Sequence, residues 1–300
     1  LQWNRLSKRS ISEFVDPQRY FENEKRSVNS LTDELDAILI KSVKEMTPKN
    51  HSYSSIFSGG IDSTLISKYL LDYSNLENFV AVNHIGKDKI SSDLDGFKKQ
   101  LGIEIDIISI DENEYSSRIA GCQLACGSPL MSHSFVAQSI QCERISAKGH
   151  KVIFGGEGGD ELFAGYDTYL QDLNKEFVTS PSKYSGFFES KLFLKSKNDH
   201  YKSELQNFWK NSLSAFSHIE DISEKNLSAM KYLDTELQLS TVGLRGSDLM
   251  SMMWGVESRT VFVSSEILKF AINLPKKHLL NEINGKIESK VLLKNLFLRH

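Results

Sequence analysis

From Tyr53 the chain reads Tyr-Ser-Ser-Ile-Phe-Ser-Gly-Gly-Ile-Asp-Ser, and this stretch restricts the fold more than any other. Residues 53–57 have the length and character of a short strand. From Ile61 the apolar residues Ile61, Leu65, Ile66, Tyr69 and Leu70 recur at helical spacing. A strand that passes through glycines directly into a helix is the first half of a βαβ unit. The pattern then repeats. Residues 78–85 (NFVAVNHI) predict a second strand. Leu94, Phe97 and Leu101 mark one helix face ending at Gly102, and residues 103–110 (IEIDIISI) alternate with period two. A helix is expected from about Ser132 to Lys148, ending at Gly149, before a fourth strand in KVIFGG (151–156). Strands separated by helix-length segments predict a parallel sheet with right-handed crossovers.

After about residue 170 strand signals vanish. Amphipathic stretches such as ELQNFWKNSLSAFSHI (204–219) and SSEILKFAINL (264–274) predict helices, with SPSKYSG (180–186) and SKNDH (196–200) as loops. The expected architecture is a doubly wound α/β core over about 50–170 with a helical portion over about 171–300. Residues 1–40 read as an extension or linker remnant, and 41–300 as one functional domain. A length of 300 residues suffices for such a core. The net charge of −3 offers no basic excess for a polyanion, so nucleic acid is not expected as a partner. No apolar run approaches the roughly 18 residues that span a bilayer, so no membrane partner is expected either. Three cysteines (Cys122, Cys126, Cys142) form no disulfide framework and point to a reducing, cytoplasmic setting. Cys122 and Cys126, with His133 beyond, make a metal site conceivable, but a fourth ligand is missing and buried thiols are common.

The chemistry gathers at two loops. Ser58, Gly59, Gly60, Ile61, Asp62 and Ser63 lie between a strand end and a helix start, the edge where open α/β sheets bind ligands. Glycines admit close backbone approach, successive N–H groups and the helix N-terminus attract anions, and both serines can donate to phosphate oxygens. Asp62 would repel a bare phosphate but suits a Mg²⁺ that phosphates share. On this stretch alone, a Gly-Gly turn with Asp62 and Ser63 capping a helix fits as well. The second loop, Gly155-Gly156-Glu157-Gly158-Gly159-Asp160-Glu161, also follows a strand. If both strand ends share one edge, Asp62 and Asp160 can clasp one Mg²⁺ from two sides, leaving Glu157 as a base. An acidic helix N-terminus is the plainer alternative. A Walker-type P-loop is excluded, since no GxxxxGK[ST] occurs.

SGGIDS resembles the pyrophosphate loop of the N-type ATP pyrophosphatases, and GGEGGDELFAGY the second signature of the asparagine synthetase family. LRGSDLMSMMWGVESRTVFV (244–263) and GKIESKVLLKNLF (285–297) resemble two further blocks of that family, in the same order. The resemblance implies an N-type ATP pyrophosphatase fold and an ATP- and Mg²⁺-dependent ligase. Such a ligase activates a carboxylate as an acyl-adenylate, releases pyrophosphate, and transfers ammonia or an amine to it. It implies that Phe57, Ser58, Gly59, Gly60, Asp62, Ser63, Val82, Gly155 and Gly156 contact the nucleotide, Val82 lying at the end of the second strand. It further implies Asp62 and Asp160 as metal ligands, Glu157 as the residue that deprotonates the amine, and Lys290 as the cation steadying the adenylate. Arg245, Glu257 and Arg259 match the third block, where site-shaping ion pairs are expected, with plain surface charge as the alternative for Glu257 and Arg259.

Some positions depart from that pattern. Val-Pro-Phe-Leu-Asp is replaced by Thr260-Val261-Phe262-Val263-Ser264, and Asp248 stands where the family often carries lysine, which weakens any transfer of aspartate specificity. The family's glutaminase domain has no counterpart in these residues and the sequence starts with Leu1 and not Met, so it reads as a synthetase domain that is excised, truncated or split from its partner. Expected partners are a small-molecule or peptide carboxylate and ammonia from a glutaminase domain or separate subunit, with a homodimer left open. The alternatives are a catalytically silent nucleotide-binding scaffold or a tRNA-modifying adenylating enzyme.

Overall fold

The computed structural model describes residues 11–73, 80–86, 104–176, 195–283 and 285–300, with Gly96, Lys99, Gly102, Pro181 and Tyr184 between them. The predicted helix face of Leu94, Phe97 and Leu101 lies outside the described residues, as does most of the predicted loop 180–186. Helices α1 (Pro17–Lys25) and α2 (Val28–Met46) occupy much of the stretch read as a linker remnant. Asp16 caps α1 by accepting from the Arg19 amide, and Pro17 stands at the first turn, where its missing N–H costs nothing.

Five strands form one parallel sheet: β1 (Tyr53–Ile56), β2 (Val80–Gly86), β3 (Glu104–Ile110), β4 (Val152–Gly155) and β5 (Glu257–Thr260). Their order is β3-β2-β1-β4-β5. Helix α3 (Ile61–Tyr73) links β1 to β2, and α4 (Glu112–Cys126) and α5 (Ser134–Ala147) link β3 to β4. The chain therefore steps outward from β1 through β2 to β3, then returns to place β4 on the other side of β1. With right-handed crossovers, that reversal sends helices to opposite faces, as a doubly wound sheet requires. Strands β1 and β4 are buried on both faces, and Tyr53 and Phe154 meet edge to face at 5.6 Å.

The fifth strand was not expected. Its sequence, Glu-Ser-Arg-Thr, lacks any apolar alternation because β5 is an edge strand and none of its residues is fully buried. Its pairing with β4, Val152 to Glu257 and Gly155 to Thr260, carries the strand instead. Behind the sheet, Cys122, Cys126 and Cys142 pack with Phe135, Ile140 and Met250 in one apolar cluster. These thiols are free and buried.

The chain divides into two compact units. The sheet unit comprises residues 33–158, 239–264 and 293–300, and the helical unit 1–32, 159–238 and 265–292. Within the helical unit lie α6 (Gly159–Leu162), α7 (Asp167–Asp172), α8 (Lys195–Ala215) and α9 (Ile222–Asp234). The predicted loop SKNDH falls inside α8, where a run of polar residues opens a long amphipathic helix rather than breaking it. Helix α9, capped by Asp221, is buried from Asn226 to Asp234. Its Lys231 is wholly buried and donates to the Ala271 carbonyl at 2.8 Å, and burial pushes its amine down to about 7. In the sheet unit, α10 (Arg245–Met252) precedes β5. Helix α11 (Ser265–Ile272) and the hairpin β6 (Asn281–Ile283) to β7 (Lys286–Glu288) belong to the helical unit, before α12 (Val291–Phe297). Among the described residues, no helix is long and apolar enough to cross a membrane.

Helix α10 seats on α5 through Gly246, where a Cβ would come within 2.2 Å of the Phe135 ring. Gly246→Ala should therefore destabilise by about 1–3 kcal/mol through overpacking. Gly121 lies in α4 with nothing within 4 Å of an added Cβ, so Gly121→Ala should stabilise by about 0.5–1 kcal/mol. Urea unfolding of both variants checks the opposite signs.

Candidate active site

Strands β1 and β4 are adjacent and parallel, so the loops that leave their C-terminal ends emerge at one sheet edge. Because β2 and β3 lie to one side of β1 and β4 to the other, this edge is also the point where strand order reverses. The first loop turns at Gly59, whose φ of +80° favours glycine. It then folds on itself. The Ser58 amide donates to Ser63 Oγ at 3.1 Å, the Gly60 amide to Ser58 Oγ at 3.3 Å, and Ser63 Oγ donates back to the Gly60 carbonyl at 3.1 Å. Phe57 is fully buried beneath, while Ser58 and Gly60 are exposed at the start of α3, a helix of 13 residues.

The second loop touches the first. A Cβ at Gly156 would fall 2.9 Å from the Ser63 amide nitrogen and 3.1 Å from Asp62 Cβ. Two backbones can approach this closely only where one has no side chain. Gly155 makes room in the same way for Glu157, whose Oε2 occupies the space a Cβ would need, 1.9 Å from it. The structure thus brings Phe57, Ser58, Gly59, Gly60, Asp62, Ser63, Gly155, Gly156 and Glu157 to one edge of the sheet unit. Val82 pairs with Ile56, level with the end of β1, but β2 runs on to Gly86, so Val82 is not at the strand end.

Glu157 differs from an ordinary surface acid. Burial pushes its carboxyl above the usual range, against hydrogen bonds from Ser247 and Gln138 that favour the charged form. Its Oε2 is buried with no hydrogen-bond partner. Gln138 and Ser247, which act on it, and Ser258, which contacts Ser247, were not singled out from sequence. Beyond β3, a cavity of about 490 Å³ opens between Asp111, Tyr115 and His133.

Asp160 and Lys290 belong to the helical unit, where they pair at 2.7 Å. Gly165 permits that pair, since a Cβ there would lie 1.8 Å from Asp160 Oδ1 and 2.2 Å from Lys290 Cε. Lys290 has a φ of +58°, an uncommon conformation for a side chain of its size. Such outliers cost about 1–3 kcal/mol and cluster at functional sites. Beside them, buried Glu161 accepts from Tyr166 at 2.6 Å, and burial pushes its carboxyl up. Among the described residues no group of three or more His, Cys, Asp or Glu side chains is close enough together to hold a metal ion. Asp62 belongs to the sheet unit and Asp160 to the helical unit.

The third block contributes differently. Arg259 Nε donates to Glu257 at 2.9 Å, but Glu257 pairs with Val152, at the strand ends opposite the loops, and its side chain is mostly exposed. Arg245 donates to the Cys126 carbonyl at 3.2 Å.

The family model described as asparagine synthase matches residues 34–300. A Methanocaldococcus jannaschii protein carrying the name asparagine synthetase 1 (glutamine-hydrolysing) is 23% identical over 280 residues, covering 90% of this chain and 42% of that protein. Amidase chyE of Penicillium rubens is 36% identical over 76 residues, 25% of this chain and 11% of its own length. The chain therefore spans less than half the length of these curated relatives. Among solved structures, an NH3-dependent NAD synthetase from Campylobacter jejuni is similar at 19% identity, covering 71% of this chain and 94% of that one. The TM-score of that match is 0.37.

The buried Glu157 sets a pH dependence of stability. Its folded-state pKa is raised, so the folded chain holds the proton more tightly than the unfolded chain. That contribution is fully present below the unfolded carboxyl range, near 4.3, and is lost as pH rises through the folded value. Glu157→Gln removes this loss. Relative to wild type, the variant should be more stable at pH 8 than at pH 5 in urea unfolding, while the Glu161 contribution cancels between the two proteins.

Proposed function

The chain belongs to the asparagine synthase family, whose members are ATP-utilising ligases, and from that premise we propose that it forms amide bonds by way of an acyl-adenylate. The observation that carries this reading is the direct packing of Gly156 against Asp62 and Ser63, which sets a phosphate-type loop and a buried carboxylic acid at one sheet edge.

In this reading the amides and hydroxyls from Ser58 to Ser63 hold the pyrophosphate of ATP, assisted by the N-terminus of α3. Phe57, Val82, Gly155 and Gly156 lie along the rest of the nucleotide. Asp62 and Asp160 would hold Mg²⁺, which neutralises phosphate charge when bound. The substrate carboxylate attacks the α-phosphorus and pyrophosphate leaves. Lys290 stabilises the charge that develops there, a role for a fixed cation in a dry site. Ammonia or an amine then attacks the activated carbonyl carbon, the C–O bond to AMP breaks, and Glu157 takes the proton released from nitrogen. A carboxyl group raised by burial is suited to that task near neutral pH. The acceptor is a small-molecule or peptide carboxylate, and ammonia comes from a glutaminase domain or a separate subunit. The three free cysteines accord with a cytoplasmic setting.

Exchange of labelled pyrophosphate into ATP, screened over carboxylates, tests the reading. Exchange should depend on one class of carboxylate and fall about 10²–10³-fold in Lys290→Ala. Glu157→Gln should keep the exchange and lose about 10²–10⁴-fold in amide formation. Asp62→Ala and Asp160→Ala should each weaken ATP·Mg²⁺ binding. Binding of ATP with no exchange on any carboxylate, ammonia being supplied, would leave a nucleotide-binding scaffold and sink the ligase.

A further inference from the structure

Two elements of the sheet unit reach the Glu157 carboxyl group, a third holds one of them, and none brings a positive charge. From α5, Gln138 Nε2 donates to Ser247 Oγ at 2.8 Å and reaches Glu157 Oε1 at 3.5 Å. From α10, Ser247 lies 2.8 Å from Ser258 Oγ, which β5 fixes opposite Ile153 of β4. The proton count closes on this geometry. An amide NH₂ has two hydrogens, so Gln138 can serve both the serine and the glutamate. Ser247, having accepted one, keeps its own proton for Glu157 or for Ser258.

Of the other charged groups on these elements, Glu143 pairs with Arg118, Arg144 pairs with Glu114, and Asp248 is exposed. Cys142, one turn beyond Gln138, is pushed up to about 12 by burial and by Glu157, so it remains a thiol. Arg245 of α10 donates to the Cys126 carbonyl, and Arg259 of β5 is held by Glu257 and the Met46 carbonyl. A cation in this place would fix the carboxylate and also lower its basicity. Neutral donors fix its direction at a smaller loss of basicity.

We propose that Gln138 and Ser247 are positioning residues for Glu157, a neutral clamp on Oε1 that leaves Oε2 for a donor the described residues do not supply. The proposal rests on the reading of Glu157 as the base of amide formation. In that step an N–H bond of the amine breaks, the proton passes to the Glu157 carboxylate, the N–C bond forms, and AMP departs with the electrons of the C–O bond. A clamp that sets the carboxylate direction acts on this proton transfer and leaves adenylation aside.

The test compares pyrophosphate exchange with amide formation in Gln138→Leu, Ser247→Ala and Ser247→Thr. In Gln138→Leu and Ser247→Ala, amide formation should fall roughly 10–100-fold more than exchange. Loss of donors to the charged form raises the Glu157 pKa, so the acid limb of amide formation should move up by about one pH unit. Ser247→Thr keeps the hydroxyl and should recover most of the amide-forming rate lost in Ser247→Ala. Infrared titration of the substrate-free proteins gives a reading without turnover: the carboxyl band absent from Glu157→Gln should titrate higher in Gln138→Leu than in wild type. An unmoved band in both Gln138→Leu and Ser247→Ala overturns the clamp, and so does equal loss of exchange and amide formation with an unmoved acid limb. A moved band in a protein that forms no amide from any carboxylate upholds the clamp and rejects the proposed function instead.

Discussion

The approach of one peptide backbone to another at Gly156 is the contact on which the rest of the sheet unit's site depends. Strands β1 and β4 lie side by side because the chain reverses its direction of travel across the sheet after β3. That reversal alone would leave two loops near each other, each able to wander. The 2.9 Å between a would-be Cβ at Gly156 and the Ser63 amide removes this freedom. The loop that turns at Gly59 is thereby backed by the loop that carries Glu157. For the proposed function, a phosphate-binding surface made of backbone amides requires those amides to be held in place before the anion arrives. Here the support is covalently part of the sheet.

The acids of the second loop are treated in opposite ways by their surroundings. Glu157 is buried among neutral donors, and Asp160 is joined to Lys290. Glycines decide both outcomes. Gly155 leaves space for the Glu157 carboxyl, and Gly165 leaves space for the Asp160–Lys290 pair. Carboxylates three residues apart on one chain are thus given different surroundings, one enclosed by burial and the other held in an ion pair. Environments that separate two acids are the usual mark of divided chemical roles.

The parts of this fold that depend on local pattern were legible in the sequence. Buried β4 appears as an apolar run, and the turn from strand to helix at Gly59 and Gly60 appears as itself. What depends on distant pairing was not legible. β5 is a strand because β4 offers it hydrogen bonds, and nothing in Glu-Ser-Arg-Thr says so. Gln138 and Ser247 are 109 positions apart and ordinary in type, so no spacing rule joins them to Glu157. The ion pair of Glu257 and Arg259 shows the reverse failing. Its residues looked functional by resemblance, yet the strand register puts Glu257 at the end of β5 away from the loops.

The altered segment after β5 is where resemblance and packing have to be weighed together. Losing proline and aspartate from Val-Pro-Phe-Leu-Asp would matter most if the segment then lost its place. It does not: Val261 and Phe262 are fully buried in a short 3₁₀ turn, and a Cβ at Gly158 would lie 3.3 Å from Phe262 Cβ and Val263 Cγ1. Ser264 stands where the aspartate would be, with its hydroxyl 3.1 Å from Ser42 Oγ. A neutral serine–serine contact replaces a charge without leaving a carboxylate to satisfy. The consequence reaches the site through Gly158, whose φ of +92° needs glycine and whose neighbour is Glu157. As long as Phe262 and Val263 fill the space beneath Gly158, the second loop keeps the course that brings Glu157 under Gln138 and Ser247. Apolar volume at 261–263 is then the property this segment has to preserve, and the identity of residue 264 matters less.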